Sequence, residues 1–231
     1  SADPGEGRST TYRPAHTGEV AYASREDAGR QLARVTRHLR DARDPVVLAL
    51  PRGGIPVARE VALALGAPLD VLVVRKLGVP WQPELAMGAI AEGGFRVLNE
   101  DVVRVSRIDD DTIDAVEARE RAELERRAAL LRAGHARLEL RGRTALIVDD
   151  GMATGATVAV ACRAARASGA VVVIVAVPVA SPEAARRVAR VADEVLCPWV
   201  PRDTNSVGAA YDDFHQLEDD EAVRTLRSTR L

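Results

Sequence analysis

The chain has 231 residues, 47% of them hydrophobic and 29% charged, a balance typical of folded globular proteins and unlike that of disordered, collagen-like or coiled-coil chains. Its 32 basic and 34 acidic residues leave a formal net charge of −2, so no overall basic field attracts nucleic acid, which is not expected as a partner. No apolar run approaches the roughly 18 residues of a membrane span, and residues 1–12 lack a signal-peptide core, which predicts a cytoplasmic protein without membrane contact.

The N-terminal residues 1–20 are predicted to form a flexible arm, because they are rich in small polar residues and show no periodicity. Ser24 is the predicted N-cap of a first helix, with apolar residues at helical spacing and an Arg-rich, solvated outer face. One α/β domain is expected over residues 21–200, and residues 201–231 form its C-terminal tail.

Short apolar runs rich in β-branched residues predict strands that are covered on both faces. They lie at 46–50, 69–74, 144–149 and 171–177, with a fifth candidate at 194–197. Helical patterns lie between them at 55–65, 154–168 and 182–192. Such strand–helix–strand repeats predict the α/β class, with a parallel sheet wound by right-handed crossovers.

A long charged segment, residues 108–133, predicts a peripheral helix whose aspartates lie near its positive dipole end. Its apolar stripe is short and rich in alanine, so a coiled-coil partner stays open as the alternative. Cys162 and Cys197 lie in apolar surroundings without metal-ligand spacing, which favours buried free thiols over a zinc site or a disulfide.

The segment with the most chemical information is LIVDDGMATGATV, residues 146–158. A buried strand ends in two carboxylates and passes directly into a loop of small residues that opens a helix. Small residues allow backbone N–H groups to close on an anion, and the helix adds the positive end of its dipole. The small and hydroxyl-bearing residues Gly151, Ala153, Thr154, Gly155 and Thr157 form the predicted monophosphate site, with Met152 and Ala156 lying between them.

The two carboxylates, Asp149 and Asp150, suit a different ligand group. An ionised carboxylate only accepts hydrogen bonds, so two of them can hold a vicinal diol, and they can also collect Mg²⁺, directly or through water. A diol at a short distance from a phosphate describes ribose 5-phosphate. The alternative is an ordinary strand end followed by a helix cap.

Residues 145–158 resemble the phosphoribosyl diphosphate signature of the type I phosphoribosyltransferases, in which an apolar strand carries two acidic residues before a Thr-Gly-x-Thr loop. The resemblance implies that Asp149 and Asp150 hold the ribose hydroxyls and that the loop wraps the 5-phosphate. It also implies the family's fold, a parallel sheet with helices on both faces and a small variable hood from terminal segments. It extends over residues 46–199.

Two further segments resemble family elements in the expected order. The pyrophosphate loop is matched after the first strand by Pro51, Arg52, Gly53 and Gly54, although RGG after a strand is also an ordinary turn. Arg75 and Lys76 end the next strand, where the family keeps a basic residue for the pyrophosphate. Lys76 is the only lysine among 32 basic residues, which indicates either chance or a need for a compact ammonium group.

Residues 75–94 carry glycine and proline at their edges, and the family has a flexible loop at this place that closes over the reacting sugar. A closed lid excludes water and so favours transfer over hydrolysis. Glu84 is the candidate general base on this lid. Trp81 is either a lid residue or a local packing anchor.

The resemblance implies an Mg²⁺-dependent pentosyltransferase that moves ribose 5-phosphate from 5-phosphoribosyl 1-diphosphate (PRPP) to a nitrogenous heterocycle and releases pyrophosphate. Lys76, Arg75 and Mg²⁺ would receive the charge of the departing diphosphate. The 6-oxopurine members carry an Asp where this chain has Ala153, so hypoxanthine and guanine are less suitable acceptors. The alternatives are a non-catalytic PRPP sensor, hydrolysis, and transfer to a non-nucleobase metabolite.

Aromatic residues after the last strand are candidates for the acceptor hood, with His215 beside them: Trp199, Tyr211 and Phe214. They would either stack on a flat acceptor ring or pin an irregular tail to the core. A homodimer is retained as an option for the assembly.

Overall fold

The computed structural model describes residues 9–12, 22–201 and 206–229. The strands are β1 (Ser9–Tyr12), β2 (Pro45–Ala49), β3 (Leu69–Val71), β4 (Val74–Val79), β5 (Gln82–Ala91), β6 (Arg96–Leu98), β7 (Thr144–Val148), β8 (Val172–Ala176) and β9 (Glu194–Cys197). The α-helices are α1 (Arg25–Val35), α2 (Gly54–Leu65), α3 (Glu100–Val105), α4 (Asp110–Arg132), α5 (Ala156–Ala167), α6 (Pro182–Val188) and α7 (Asp219–Thr229).

The main sheet has the strand order β1-β9-β8-β7-β2-β3, and every pair in it is parallel. The predicted α/β class is therefore confirmed. From β2 the chain runs outward to β3, and β7 then returns to the other side of β2. The order of the sheet reverses between β2 and β7, which is the place where open α/β sheets bind ligands beyond the carboxyl ends of their strands.

Helices cover both faces of the sheet, because neighbouring side chains of each central strand point to opposite sides. On β2, Val47 and Ala49 belong to the core that includes α1, α2, α4 and α7, whereas Val46 and Leu48 belong to the core beneath α5 and α6. This two-sided burial explains why the strands read as continuous apolar runs. In the described part of the chain, no helix is long and apolar enough to span a bilayer.

Residues 74–98 form a second, antiparallel sheet of β4, β5 and β6 rather than the irregular loop that glycine and proline suggested. The hairpin of β4 and β5 packs against α4, where Arg75 donates two hydrogen bonds to Glu120 at 3.0 and 2.6 Å. The predicted strand 69–74 is thus two strands. It breaks because the Val73 amide donates to the Glu92 carboxylate (2.9 Å) instead of to a neighbouring strand.

A buried ion network fixes the root of this hairpin. Arg132, at the end of α4, donates to Asp70 of β3 at 2.9 Å and to Glu92, which follows β5, at 2.5 and 3.1 Å. The Asp70 carboxylate also accepts from the amides of Val71 and Leu138. These contacts satisfy charges that would be costly to bury alone, and they join the two sheets to α4.

The N-terminal region differs from the predicted arm at one place. Residues 9–12 form β1, which pairs in parallel with β9, so for these four residues the expectation of an unstructured arm is corrected. Residues 1–8 and 13–21 lie outside the described residues. Ser24 is the N-cap of α1 as predicted, accepting from the Asp27 amide at 3.3 Å.

Candidate active site at the sheet reversal

The candidate site begins where β2 and β7 end side by side. Ala49 lies opposite Val148 in the register, and the Leu50 amide donates to the Val148 carbonyl at 2.9 Å. The four residues from Pro51 to Gly54 and the acidic pair therefore leave the sheet next to each other. The peptide bond between Pro51 and Arg52 is cis.

Glycines allow the two segments to touch. A Cβ on Gly53 would overlap the Asp150 carboxylate, and a Cβ on Gly54 would lie 2.7 Å from the Val148 carbonyl oxygen and 3.0 Å from the Asp149 Cα. Gly53 has φ −57°, a value any residue can adopt, so glycine is needed here for space and not for backbone freedom. The sequence signal RGG thus reflects close packing against the acidic pair.

Asp149 lies at the inner end of this pair. Its Oδ1 accepts from the Asp150 amide at 2.9 Å. Desolvation, together with the neighbouring Asp150 carboxylate, raises the pKa of Asp149 well above its usual range. A ligand that donates hydrogen bonds or brings positive charge would relieve this penalty.

Asp150 is held by residues from both ends of the chain. Arg25, the first residue of α1, donates from Nε to Asp150 Oδ2 at 2.9 Å, and the Tyr211 hydroxyl donates to the Asp150 carbonyl at 2.5 Å. Burial raises the pKa of Tyr211, which keeps its hydroxyl protonated as a donor. Arg25 is not predicted from the sequence, since nothing in its helix distinguishes it from the other arginines there.

The loop after Asp150 alternates between buried and open residues. Met152 and Gly155 are buried, whereas Ala153, Thr154, Ala156 and Thr157 are exposed. The Met152 amide donates to the Val179 carbonyl at 2.9 Å, and Ser181 Oγ donates to the Ala153 carbonyl at 2.6 Å. These bonds tie the loop to the start of α6, so that its open residues are held at the surface.

The amides of this loop are the donors available to an anion. Within the described residues, the amides of Ala153, Thr154 and Gly155 donate to no acceptor, and the first bond of α5 runs from Ala159 to Gly155. The Ala156 amide donates to Thr154 Oγ1 at 3.3 Å. Gly155 has φ +71°, which favours glycine. This arrangement of open amides before a helix can accept a phosphate group.

The predicted basic residues take different positions. The guanidinium of Arg75 is occupied by Glu120 of α4, and that of Arg52 lies 3.4 Å from Asp219 at the start of α7. Lys76 Nζ lies 3.5 Å from the almost fully exposed Glu84 carboxylate. Lys76 also lines a cavity of about 510 Å³ together with Thr157 and Arg163, so the structure brings Lys76 and the small-residue loop to the same space.

The aromatic candidates form one cluster with an additional member, Tyr22. Ring centroids of Tyr211 and Phe214 are 5.0 Å apart and stacked, those of Tyr22 and Tyr211 are 5.5 Å apart, and Trp199 packs edge-on to Tyr22 at 6.5 Å. Tyr22 precedes α1, so the cluster contains residues from both terminal regions. Trp81, at the hairpin tip, is 64% exposed and does not anchor a core.

The donors that the chain offers to a metal ion are the two carboxylates at the end of β7. The described residues contain no group of three or more His, Cys, Asp or Glu that could hold a metal ion. Asp149 and Asp150 nevertheless fit Mg²⁺, because this ion is commonly bound by one or two carboxylates together with substrate phosphates and water. Cys162 and Cys197 are buried free thiols, as predicted, and burial raises the pKa of each to about 12.

Several known proteins are similar to this chain. Residues 22–213 match the family described as "Phosphoribosyl transferase domain". Two curated Mycobacterium tuberculosis proteins, Rv0571c (strain ATCC 25618 / H37Rv) and MT0597 (strain CDC 1551 / Oshkosh), are provisionally named phosphoribosyl transferases and are each 55% identical over 205 residues. These matches cover 89% of this chain and 46% of each relative, so the chain spans about half their length. The crystal structure of TT1426 from Thermus thermophilus is 42% identical, with a TM-score of 0.79, and the match covers 90% of this chain and 99% of that one.

Proposed function

Because the chain belongs to the phosphoribosyl transferase family, we propose that it transfers ribose 5-phosphate from PRPP to a nitrogenous heterocycle and releases pyrophosphate. The observation that carries the proposal is the direct succession of the acidic pair and the open amides that follow it. The donors of the loop and the acceptors of the pair match the two ends of a ribose 5-phosphate group. Cytoplasmic residence and a homodimer stay predictions.

The sugar phosphate would span the turn after β7. The 5-phosphate would accept hydrogen bonds from the amides of Ala153, Thr154 and Gly155 and from the Thr157 hydroxyl. Met152, Gly151 and Ala156 would shape this turn. Asp149 and Asp150 would accept from the vicinal hydroxyls of the ribose, which gives the otherwise destabilised Asp149 carboxylate a donor.

The diphosphate would lie over the turn after β2. The backbone of residues 51–54 lies near the acidic pair. Lys76 is the available cation, because its ion pair with the almost fully exposed Glu84 is weak. Arg75 and Arg52 would act on the diphosphate only after leaving Glu120 and Asp219. Asp149 and Asp150 are the residues that would hold Mg²⁺, and the chemistry it would supply there is positive charge opposite the leaving group.

The reaction breaks the bond between C1 and the diphosphate oxygen and forms a bond from C1 to the acceptor nitrogen. The carboxylates would fix the ring while positive charge develops on it, and Lys76 would stabilise the charge on the departing diphosphate. Glu84 is proposed as the group that accepts the acceptor's proton. Of the hood residues, Trp199 and Phe214 would border the acceptor, because Tyr211 is buried.

A second candidate function is a PRPP-binding regulator without turnover. It is favoured by the ion pairs of Arg75 with Glu120 and of Arg52 with Asp219, because neither guanidinium is free to receive the departing diphosphate. Transfer to a non-nucleobase metabolite is the remaining alternative.

The experiment follows pyrophosphate in the presence of PRPP, Mg²⁺ and a panel of heterocycles. Release that depends on one acceptor supports the proposed transfer, whereas release without any acceptor supports hydrolysis. Binding of PRPP with no release under any condition supports the regulator. Absence of PRPP binding, measured by calorimetry, would reject all three.

A further inference from the structure

Arg25 is a buried cation at the centre of the candidate site. Its side chain is only 8% exposed, although it carries a full positive charge. Nε donates to Asp150 Oδ2 at 2.9 Å, and Nη1 donates to the His215 carbonyl at 2.8 Å. The guanidinium carbon lies 4.0 Å from the centroid of the Phe214 ring, a cation–π contact.

Two routes of contact connect Asp150 of the acidic pair to the aromatic hood. Phe214 stacks on Tyr211 at 5.0 Å, and the Tyr211 hydroxyl donates to the Asp150 carbonyl. Arg25 therefore touches the Asp150 side chain, while Tyr211 touches its backbone. The two ends of the chain meet on this one aspartate, 125 residues away from Arg25 in sequence.

We propose that Arg25 is a positioning residue that fixes the Asp150 carboxylate for a sugar hydroxyl and couples the sugar site to the aromatic hood. This inference rests on the proposed function, because it assigns a partner to the Asp150 oxygen that Arg25 leaves free. Arg25 binds Oδ2, and within the described part of the chain Oδ1 accepts no hydrogen bond. The ribose 2-hydroxyl would use Oδ1 without displacing Arg25.

The geometry requires arginine rather than lysine. The planar guanidinium donates in two directions within its plane and offers its face to an aromatic ring, so one side chain serves all three contacts. An ammonium group at the same place has no flat face for the Phe214 ring. Arg25 also sets the charge of the pair, since it offsets one of two adjacent carboxylates that would otherwise repel each other.

The test compares two ligands that differ in the vicinal diol. Affinities of ribose 5-phosphate and 2-deoxyribose 5-phosphate are measured by calorimetry on the full chain, with and without Arg25→Gln. The wild-type protein is expected to prefer ribose 5-phosphate by about tenfold, the effect of about 1.4 kcal/mol from a hydrogen bond to a charged group. Arg25→Gln should lose most of this preference and keep the affinity for 2-deoxyribose 5-phosphate, because the phosphate loop is untouched.

Arg30→Gln is the matched control. Arg30 lies on the same helix, 58% exposed, and its weak ion pair is with Asp27 and not with the site. This variant should keep the wild-type preference. An equal loss of the ribose preference in Arg30→Gln would mean that arginines of α1 act only through their charge or through the stability of the helix. That result would overturn the positioning role of Arg25.

Phe214→Leu keeps the inference testable if Arg25→Gln does not fold. It removes the ring beneath the guanidinium and leaves both charges in place, so it should reduce the ribose preference by a few fold. An unchanged preference in Arg25→Gln or, failing that variant, in Phe214→Leu overturns the inference about Arg25 alone. A wild-type protein that shows no preference for ribose overturns the proposed sugar site itself, a separate outcome.

Discussion

Gly53 packs against the Asp150 carboxylate with no room for a methyl group between them. The contact joins the turn after β2 to the turn after β7, two segments that are 97 residues apart in sequence (150 minus 53). Its cause is the parallel pairing of the two strands, which delivers both turns to the same edge of the sheet. The shape of the acidic pair therefore depends on a glycine in another loop.

Gly53→Ala should weaken the binding of PRPP by at least about tenfold, because the added methyl displaces the Asp150 carboxylate. Calorimetry measures this loss. Gly66→Ala is the control: Gly66 ends α2 at φ +66° with open space around it, so alanine there should cost about 1 kcal/mol of stability and leave binding unchanged. Wild-type affinity in Gly53→Ala would contradict the packing argument.

Lys76→Gln should lower the affinity for PRPP by about tenfold and the affinity for ribose 5-phosphate by less, because the proposed role of Lys76 is to bind the diphosphate. Lys76→Arg should bind PRPP but turn over more slowly, since the broader guanidinium displaces the charge. Arg141→Gln, an 83% exposed cation away from the site, serves as the control. Equal losses of affinity for both ligands would contradict the role of Lys76 in binding the diphosphate.

Arg132→Met should lower the free energy of unfolding by about 3–5 kcal/mol, because it leaves the buried carboxylates of Asp70 and Glu92 without their cation. Urea unfolding measures the change. The matched variant is Arg126→Met on the same helix, where the lost ion pair with Glu123 is exposed and little change is expected. Similar losses of unfolding free energy in both variants would show that the buried network contributes no more to stability than the exposed ion pair.

His215 should make stability depend on pH. Hydrogen bonds to Asp213 and then to Glu221 raise the pKa of His215 above its ordinary value near 6.5. The charged ring stabilises the folded chain fully below about pH 6.5, and this contribution is lost as the pH rises through the higher folded pKa.

The measurement is the difference in melting temperature between the wild-type protein and His215→Gln from about pH 5.5 to about pH 8.5. The wild-type protein should be the more stable at the acidic end, and the difference should shrink toward the alkaline end. His38→Gln gives the comparison for a histidine outside the C-terminal segment that contains His215. A difference that is constant with pH would mean that the ring acts through packing only.

The strands and the loop of residues 151–157 could be predicted because their signals are local. A strand covered on both faces must be apolar at every position, and open amides before a helix need small residues, as in Ala153 and Gly155. The hairpin at residues 74–91 was harder to predict, since Gly78 and Gly88 suggest a loop. In the structure both glycines lie where a Cβ would touch a neighbouring carbonyl, at 2.6 and 2.5 Å.

The Arg25–Asp150 pair shows what local signals cannot supply. Arg25 and Arg30 belong to the same helix and have the same side chain, yet one is buried against the site and the other is solvated. What separates them is the packing of α1 on α2, which brings only Arg25 to Asp150 and to the C-terminal segment. Tyr22 was missed for the same reason, since its ring partners follow it by 177 and 189 positions (199 and 211 minus 22).

Strand β1 protects the outer edge of the main sheet. Residues 9–12 supply backbone partners along the side of β9 that faces away from β8. A chain trimmed before residue 13 would expose a row of free N–H and C=O groups, which is a template for pairing with another molecule. Such a shortened protein should form aggregates at concentrations where the longer one stays dispersed.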